Sequence, residues 1–220
     1  RFNQMVEGLA EREYLRDTFG KYVNESVAAA ILENRGRSGR AEDTTAEATL
    51  MFTDIEGFTG LSEEVTPAEI AALLNTYLGT IVPVIQRHGG VVNNFIGDGL
   101  FASFNLPLPL EDHAAAAINA ALEIEQTLAA APFARKVGLR TRIGINTGPV
   151  IGVTIGTENR LSYTLLGDAV NVASRIEQLN KTFGTTILAA ESTVVAAGAA
   201  GICERLGAAD VRGHRGDVVV

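Results

Sequence analysis

Three clusters in this sequence combine residue types and spacings that could do chemistry. In Phe52-Thr53-Asp54-Ile55-Glu56-Gly57-Phe58 a carboxylate ends an apolar, β-type run, and Gly57 lets the chain turn sharply behind it. An aspartate leaving a strand ordinarily caps the following turn, but it is equally well placed to hold a cation. A second acid, Asp98, stands in Gly97-Asp98-Gly99 between two further β-type runs. Two acidic side chains at the ends of neighbouring strands repel unless a divalent ion bridges them, and hard oxygen ligands with open positions suit Mg²⁺ or Mn²⁺. The third cluster runs from Thr164 to Arg175 and carries Asn171 and Arg175, which share one helix face at i, i+4 spacing. They could converge on a ligand, or Arg175 could be a solvated charge paired with Glu177.

These residues need a scaffold, and the hydrophobic pattern supplies one. Ala48–Asp54 reads as a strand, and Pro67 opens a long helix through about Arg87. Val91–Ile96 and Leu100–Phe104 read as a hairpin with Asp98 at its tip. An Ala-rich helix from about Leu110 to Ala130 follows, then Leu139–Thr147 and Val150–Ile155, which Gly148-Pro149 divides into a second expected hairpin. A helix over Gly167–Asn180 and a strand over Thr186–Ala189 complete the order. Single helices alternating with hairpins predict an α+β sandwich with a mostly antiparallel sheet. Ahead of this core, Phe2, Met5, Val6 and Leu9 mark an amphipathic helix, and the basic, Gly-rich stretch Asn34–Arg40 reads as a linker.

The composition narrows the partners. A formal net charge of −8 opposes nonspecific nucleic-acid binding, so no nucleic-acid partner is expected, and a polyphosphate substrate would need its charge met locally by metal ions. No apolar run approaches the about 20 residues of a membrane span, so the fragment is expected to be soluble. The single cysteine, Cys203, excludes an internal disulfide and reads as a small buried strand residue. His88, His113 and His214 have no spacing that suggests a metal site. The chain opens on Arg1 and stops within the apolar run Val218-Val219-Val220, which reads as a piece of a longer protein.

Taken in order, the three clusters resemble the class III adenylyl and guanylyl cyclase family. The two metal motifs of that family resemble Phe52–Phe58 and Ile96-Gly97-Asp98-Gly99, and its Asn-x-x-x-Arg element resembles Asn171–Arg175. The resemblance implies a catalytic domain at 41–220 with a ferredoxin-like (βαββαβ-type) sandwich. Within an N-terminal signalling helix and linker at 1–40, Phe2 through Val23 is similar to the end of a HAMP module and its transducer helix, implying a cytoplasmic domain of a bacterial inner-membrane protein anchored upstream. It further implies that ATP is converted to 3′,5′-cyclic AMP and pyrophosphate with two divalent ions, Mg²⁺ or Mn²⁺, in the sites of a head-to-tail homodimer.

By the same resemblance Asp54, Asp98 and the main-chain carbonyl of Ile55 would bind metal, Asn171 would orient the ribose, and Arg175 would meet charge developing on the α-phosphate. Asn94 and Thr164 occupy the base-selecting positions, and Arg212 aligns with a triphosphate-binding lysine. Asn94 departs from the usual lysine, although an amide can still pair with a purine edge. The Glu and Cys of guanylyl-type members are absent from both positions, which favours ATP over GTP. The alternatives are a degenerate cyclase homology domain acting as a nucleotide-binding or regulatory module, and a cyclase of relaxed base specificity. A diguanylate cyclase is not among them, since its Gly-Gly-Asp/Glu-Glu-Phe signature is missing.

Overall fold

The computed structural model describes residues 43–157, 160–210 and 217–220. The expected N-terminal helix and linker, together with Arg212 and His214, lie outside the described residues.

The chain from Asp43 builds a six-stranded sheet in the order β2-β3-β1-β4-β5, with β6 also paired to β4. The strands are β1 (Thr44–Ile55), β2 (Val91–Ile96), β3 (Gly99–Phe104), β4 (Thr141–Thr157), β5 (Arg160–Leu166) and β6 (Ile187–Ala189). Every pairing is antiparallel except β4 with β6. A two-stranded ribbon, β7 (Ala208–Asp210) with β8 (Asp217–Val219), completes the strands. The helices are α1 (Phe58–Glu64), α2 (Pro67–Arg87), α3 (His113–Ala130), α4 (Pro132–Val137), α5 (Asp168–Phe183) and α6 (Glu191–Ala196). The order β4-β1-β3-β2 with α2 and α3 as crossovers is the ferredoxin-like arrangement expected from the sequence.

Strand alternation sends the two faces of β1 to different cores. Met51 and Ile55 join Leu100, Phe104, Ile143 and Ile145 beneath α2 and α3, where Tyr77, Ile81, Ile85 and Ile124 are fully buried. Ala48 and Leu50 face the other way, with Phe101, Val150 and Leu165, and meet Ala169 and Ala173 of α5. Helix α2 starts where the sequence predicts because Thr66 and Glu69 form a reciprocal capping box ahead of Pro67. By length and composition α2 could cross a membrane, contrary to the sequence estimate. Its Tyr77, Ile81, Val84 and Ile85 are buried against the sheet and α3.

Two further expectations are corrected. Gly148-Pro149 does not divide two strands: β4 runs unbroken from Thr141 to Thr157, and the hairpin partner is β5. Pro149 is tolerated because it pairs opposite Glu47 of β1 in the stretch between the β6 partners (143–145) and the β5 partners (151–157). There its missing N–H costs no second ladder bond. Cys203 is exposed in a loop rather than buried in a strand. The short helices α1, α4 and α6 had no separate signal in the apolar pattern.

A buried hydroxyl chain stitches the layers together. Thr49 Oγ1 lies 2.8 Å from His113 Nδ1 and 2.7 Å from Thr147 Oγ1, which donates to Thr193 Oγ1 at 3.1 Å. Burial pushes the His113 imidazole below its ordinary value. His88 instead pairs with Glu123 at 2.7 Å, beside Arg87 on the same carboxylate.

Candidate active site

The last residues of β1 and the turn before β3 bring Asp54 and Asp98 together. Gly57, at φ 72°, takes the left-handed conformation that folds the chain away behind the strand end. The backbone N–H of Ile55 donates to Asp98 Oδ2 at 3.0 Å, which fixes the second carboxylate against the end of the first strand. Gly99 makes the close approach possible: a Cβ there would lie 1.7 Å from the carbonyl oxygen of Thr53. Burial, and then the neighbouring Asp98 carboxylate, push the Asp54 carboxyl above its usual range, while Arg142 partly opposes the shift. Two acids are thus held side by side at an electrostatic cost.

Other groups surround this pair. Across the β1–β4 ladder Arg142 stands directly opposite Asp54. Glu177, on the sheet-facing side of α5, is 7% exposed, and burial followed by the Asp54 charge lifts its carboxyl to about 7. From the opposite face of the sheet, Tyr77 accepts a hydrogen bond from Thr141 Oγ1 at 2.8 Å, and its phenol is pushed up to about 12 by burial. Arg142, Glu177 and Tyr77 were not singled out in the sequence as site residues. The available signal was an arginine within the apolar run Leu139–Thr147 and a glutamate next to the apolar stripe of α5.

The remaining predicted residues lie elsewhere on the chain. Helix α5 buries Ala169, Val172, Ala173, Ile176, Glu177 and Asn180, so its 3.6-residue turn carries exposed Asn171 and half-buried Arg175 on the other side. Arg175 makes no ion pair with Glu177, which faces the sheet. Asn94 is exposed on the edge strand β2, opposite Phe101. Half-buried Thr164 of β5, at the far end of the strand order, pairs with Val153 of β4. One chain therefore assembles Asp54, Ile55 and Asp98 as a unit, with Asn171 and Arg175 on the face of α5 turned away from the sheet.

A sheet of this order carries one acid near the end of β1 and a second just ahead of β3. Residues 41–219 match the adenylate and guanylate cyclase catalytic domain, and the chain belongs to that family. Among curated proteins it is 39% identical over 181 residues to adenylate cyclase 1 of Rhizobium meliloti, covering 80% of this chain and 27% of that protein. It is 37% identical over 193 residues to an uncharacterised protein of Mycobacterium tuberculosis, covering 88% of this chain and 33% of that one. The chain thus spans about a third or less of the length of these relatives.

Among solved structures it resembles the adenylyl cyclase CyaB from P. aeruginosa, with a TM-score of 0.73 and 28% identity over 81% of this chain and 93% of that one. The guanylyl cyclase Cya2 superposes with a TM-score of 0.71 and 32% identity, over 80% and 90% of the two chains.

Proposed function

We propose that this domain is an adenylate cyclase, forming 3′,5′-cyclic AMP and pyrophosphate from ATP at sites shared by two copies of the chain. The observation that carries the proposal is the enforced pairing of Asp54 with Asp98. Both are hard oxygen donors, and the charge repulsion between them is what a divalent cation would relieve. Two carboxylates with one main-chain carbonyl, that of Ile55, suit Mg²⁺ or Mn²⁺, which typically bind a few protein oxygens and take the rest from substrate phosphates and water. Bound there, a pair of such ions would supply Lewis acidity toward the ribose 3′-hydroxyl and the triphosphate.

The protein's own residues divide the rest of the work. Asp54, Asp98 and the Ile55 carbonyl of one copy would hold the ions that meet the charge at the reacting end of the nucleotide. Asn171 of the other copy orients the ribose, and Arg175 meets charge developing on the α-phosphate, a role worth on the order of 3 kcal/mol. The outward face of α5 supports this division, because the same helix turns Asn171 and Arg175 away from the sheet that carries the aspartates. Asn94 and Thr164 are assigned to the base edge and Arg212 to the triphosphate. Adenine is preferred to guanine because neither base-edge position carries the guanylyl-type Glu or Cys, and because adenylate cyclase 1 is among the relatives at 39% identity. Residues 1–40 are read as a signalling helix feeding a cytoplasmic domain of a membrane-anchored protein.

The test is cyclic nucleotide formation by the purified chain across a dilution series, with ATP or GTP and Mn²⁺ or Mg²⁺, beside an Asp54→Ala control. Cyclic AMP formation that rises more than proportionally with protein concentration and vanishes in the control is the expected result. No product from either nucleotide at the highest concentration would move the domain to the nucleotide-binding, regulatory class.

A further inference from the structure

Arg142 presents a puzzle that the proposed chemistry leaves unexplained. It lies directly opposite Asp54 on adjoining strands, a geometry that places paired Cβ atoms about 5 Å apart, well within reach of a guanidinium. It is 7% exposed, so little bulk water competes for it. Under those conditions an arginine ordinarily closes on the carboxylate through two parallel hydrogen bonds. Such a pair would occupy the oxygen positions that a cation needs. Yet among the described residues Arg142 forms no salt bridge, and its Nε and Nη1 are buried without a hydrogen-bond partner there.

The third charge of the cluster is Glu177, equally buried, with its Oε1 also unpartnered. Its place is fixed by the backbone. Helix α5 crosses β4 at Gly144, where a Cβ would lie 2.1 Å from the Glu177 nitrogen, so no side chain can separate the two. Asn180 Nδ2 donates to the Ile143 carbonyl at 3.0 Å and to the Glu177 carbonyl at 2.9 Å, pinning that turn of α5 to the strand. Asp54, Arg142 and Glu177 thus share one side of the sheet, and the Arg142 charge acts on both carboxylates, the one that the helix fixes and the one that the proposed chemistry requires. Lys181, the other positive group acting on this cluster, is exposed.

We propose that Glu177 is a positioning residue that holds the Arg142 guanidinium off Asp54, keeping the Asp54 carboxylate open to a divalent cation. The inference rests on the reading of Asp54 and Asp98 as a cation site. Neutralising Glu177 leaves Asp54 and Asp98 as the remaining acids of the cluster for Arg142, and the guanidinium then competes with the cation. Removing Arg142 as well abolishes the competition.

The test is a double-mutant cycle on Mn²⁺ binding, followed by the free-ion electron paramagnetic resonance signal at about pH 8, where Glu177 is ionised. The chains are the parent, Glu177→Gln, Arg142→Met and the double variant, with near-ultraviolet circular dichroism confirming the fold. Glu177→Gln is expected to weaken Mn²⁺ binding by about tenfold. Arg142→Met alone should change it less than about threefold, yet recover most of the loss in the Glu177→Gln background. An equal effect of Arg142→Met in both backgrounds, or a Glu177→Gln chain that binds like the parent, overturns the inference.

If Glu177→Gln does not fold, an Arg142→Met/Glu177→Met chain replaces both charges with apolar groups, a change buried ion pairs often tolerate. Its Mn²⁺ affinity should stay within about threefold of the parent, and a loss beyond about tenfold refutes the role. An Asp54→Ala chain that binds Mn²⁺ as tightly as the parent, or a parent that binds none, refutes instead the cation site on which the inference rests.

Discussion

Replacing Gly99 with alanine tests whether the site depends on backbone contact between β1 and β3. The added methyl would sit 1.7 Å from the Thr53 carbonyl oxygen, 2.7 Å from its carbonyl carbon and 3.2 Å from the Asp54 Cα. A carbon–oxygen contact needs well over 3 Å, so the two backbones must separate by roughly 1.5 Å at the point where the acids meet. No rotamer change relieves this, because the obstructing atoms are main chain. The separation also strains the Leu100 N–H bond to Thr53 Oγ1, 3.2 Å, and the Ile55 N–H bond to Asp98, 3.0 Å.

Overpacking of this severity costs about 3 kcal/mol or more. In a domain of this size that lowers Tm by roughly 10 °C. Gly97→Ala is the comparator: its φ of 60° disfavours any side chain, but nothing lies within 4 Å of the new methyl. It should cost only about 1–2 kcal/mol. Urea denaturation of both variants, with Mn²⁺-dependent activity measured alongside, makes the comparison. If Gly99→Ala is no less stable than Gly97→Ala, the strand contact is not what holds the two acids together.

Because Asp54 is buried beside Asp98 with its carboxyl pushed up, Asp54→Asn should stabilise the metal-free domain by on the order of 1 kcal/mol while abolishing cyclisation. Thermal melts should show Mn²⁺ raising the Tm of the parent alone, and a destabilised asparagine variant would contradict the repulsion. Glu177 carries a pH signature: its carboxyl rises from 4.5 to about 7 through burial and Asp54, with Asp98 adding to the shift and Arg142 and Lys181 opposing it. The native state therefore binds that proton more tightly than the unfolded chain, so Glu177 makes stability fall as pH rises from about 4.5 to about 7. Urea midpoints of the parent relative to Glu177→Gln at the two ends of that window should drop on the alkaline side, and a constant difference would remove Glu177 from the account.

The parts of this molecule legible in the sequence are those whose signal is local. Helix α2 is announced by Pro67, and the β2–β3 hairpin by Gly97-Asp98-Gly99 between apolar runs. The pairing of Asp54 with Asp98 follows once the two strands are neighbours, as the motif spacing implied. What escaped was set by tertiary contact. Gly148-Pro149 carries the local signature of a turn, but twelve paired residues along β1 and the absence of a second partner at Pro149 keep β4 extended. Glu177 looked like a solvated partner for Arg175 until the docking of α5 onto Gly144 turned it toward the sheet. The role of Arg142 could not be read from its neighbours in sequence, since its meaning depends on which residue stands across the ladder.

The unbroken course of β4 also restricts how this chain can change in length. Its residues from Thr141 to Gly152 are paired rung by rung with β1, and those from Ile151 onward with β5, with no turn between to absorb an extra residue. Inserting one residue near Gly148 would turn every later side chain of the strand to the opposite face, taking buried Val150 out of the cluster it forms with Leu165 and Ala169. Two residues, or none, preserve the alternation. Insertions in this strand are therefore admissible by parity, and the β4–β5 arm can lengthen only in steps that keep its inner and outer sides in place.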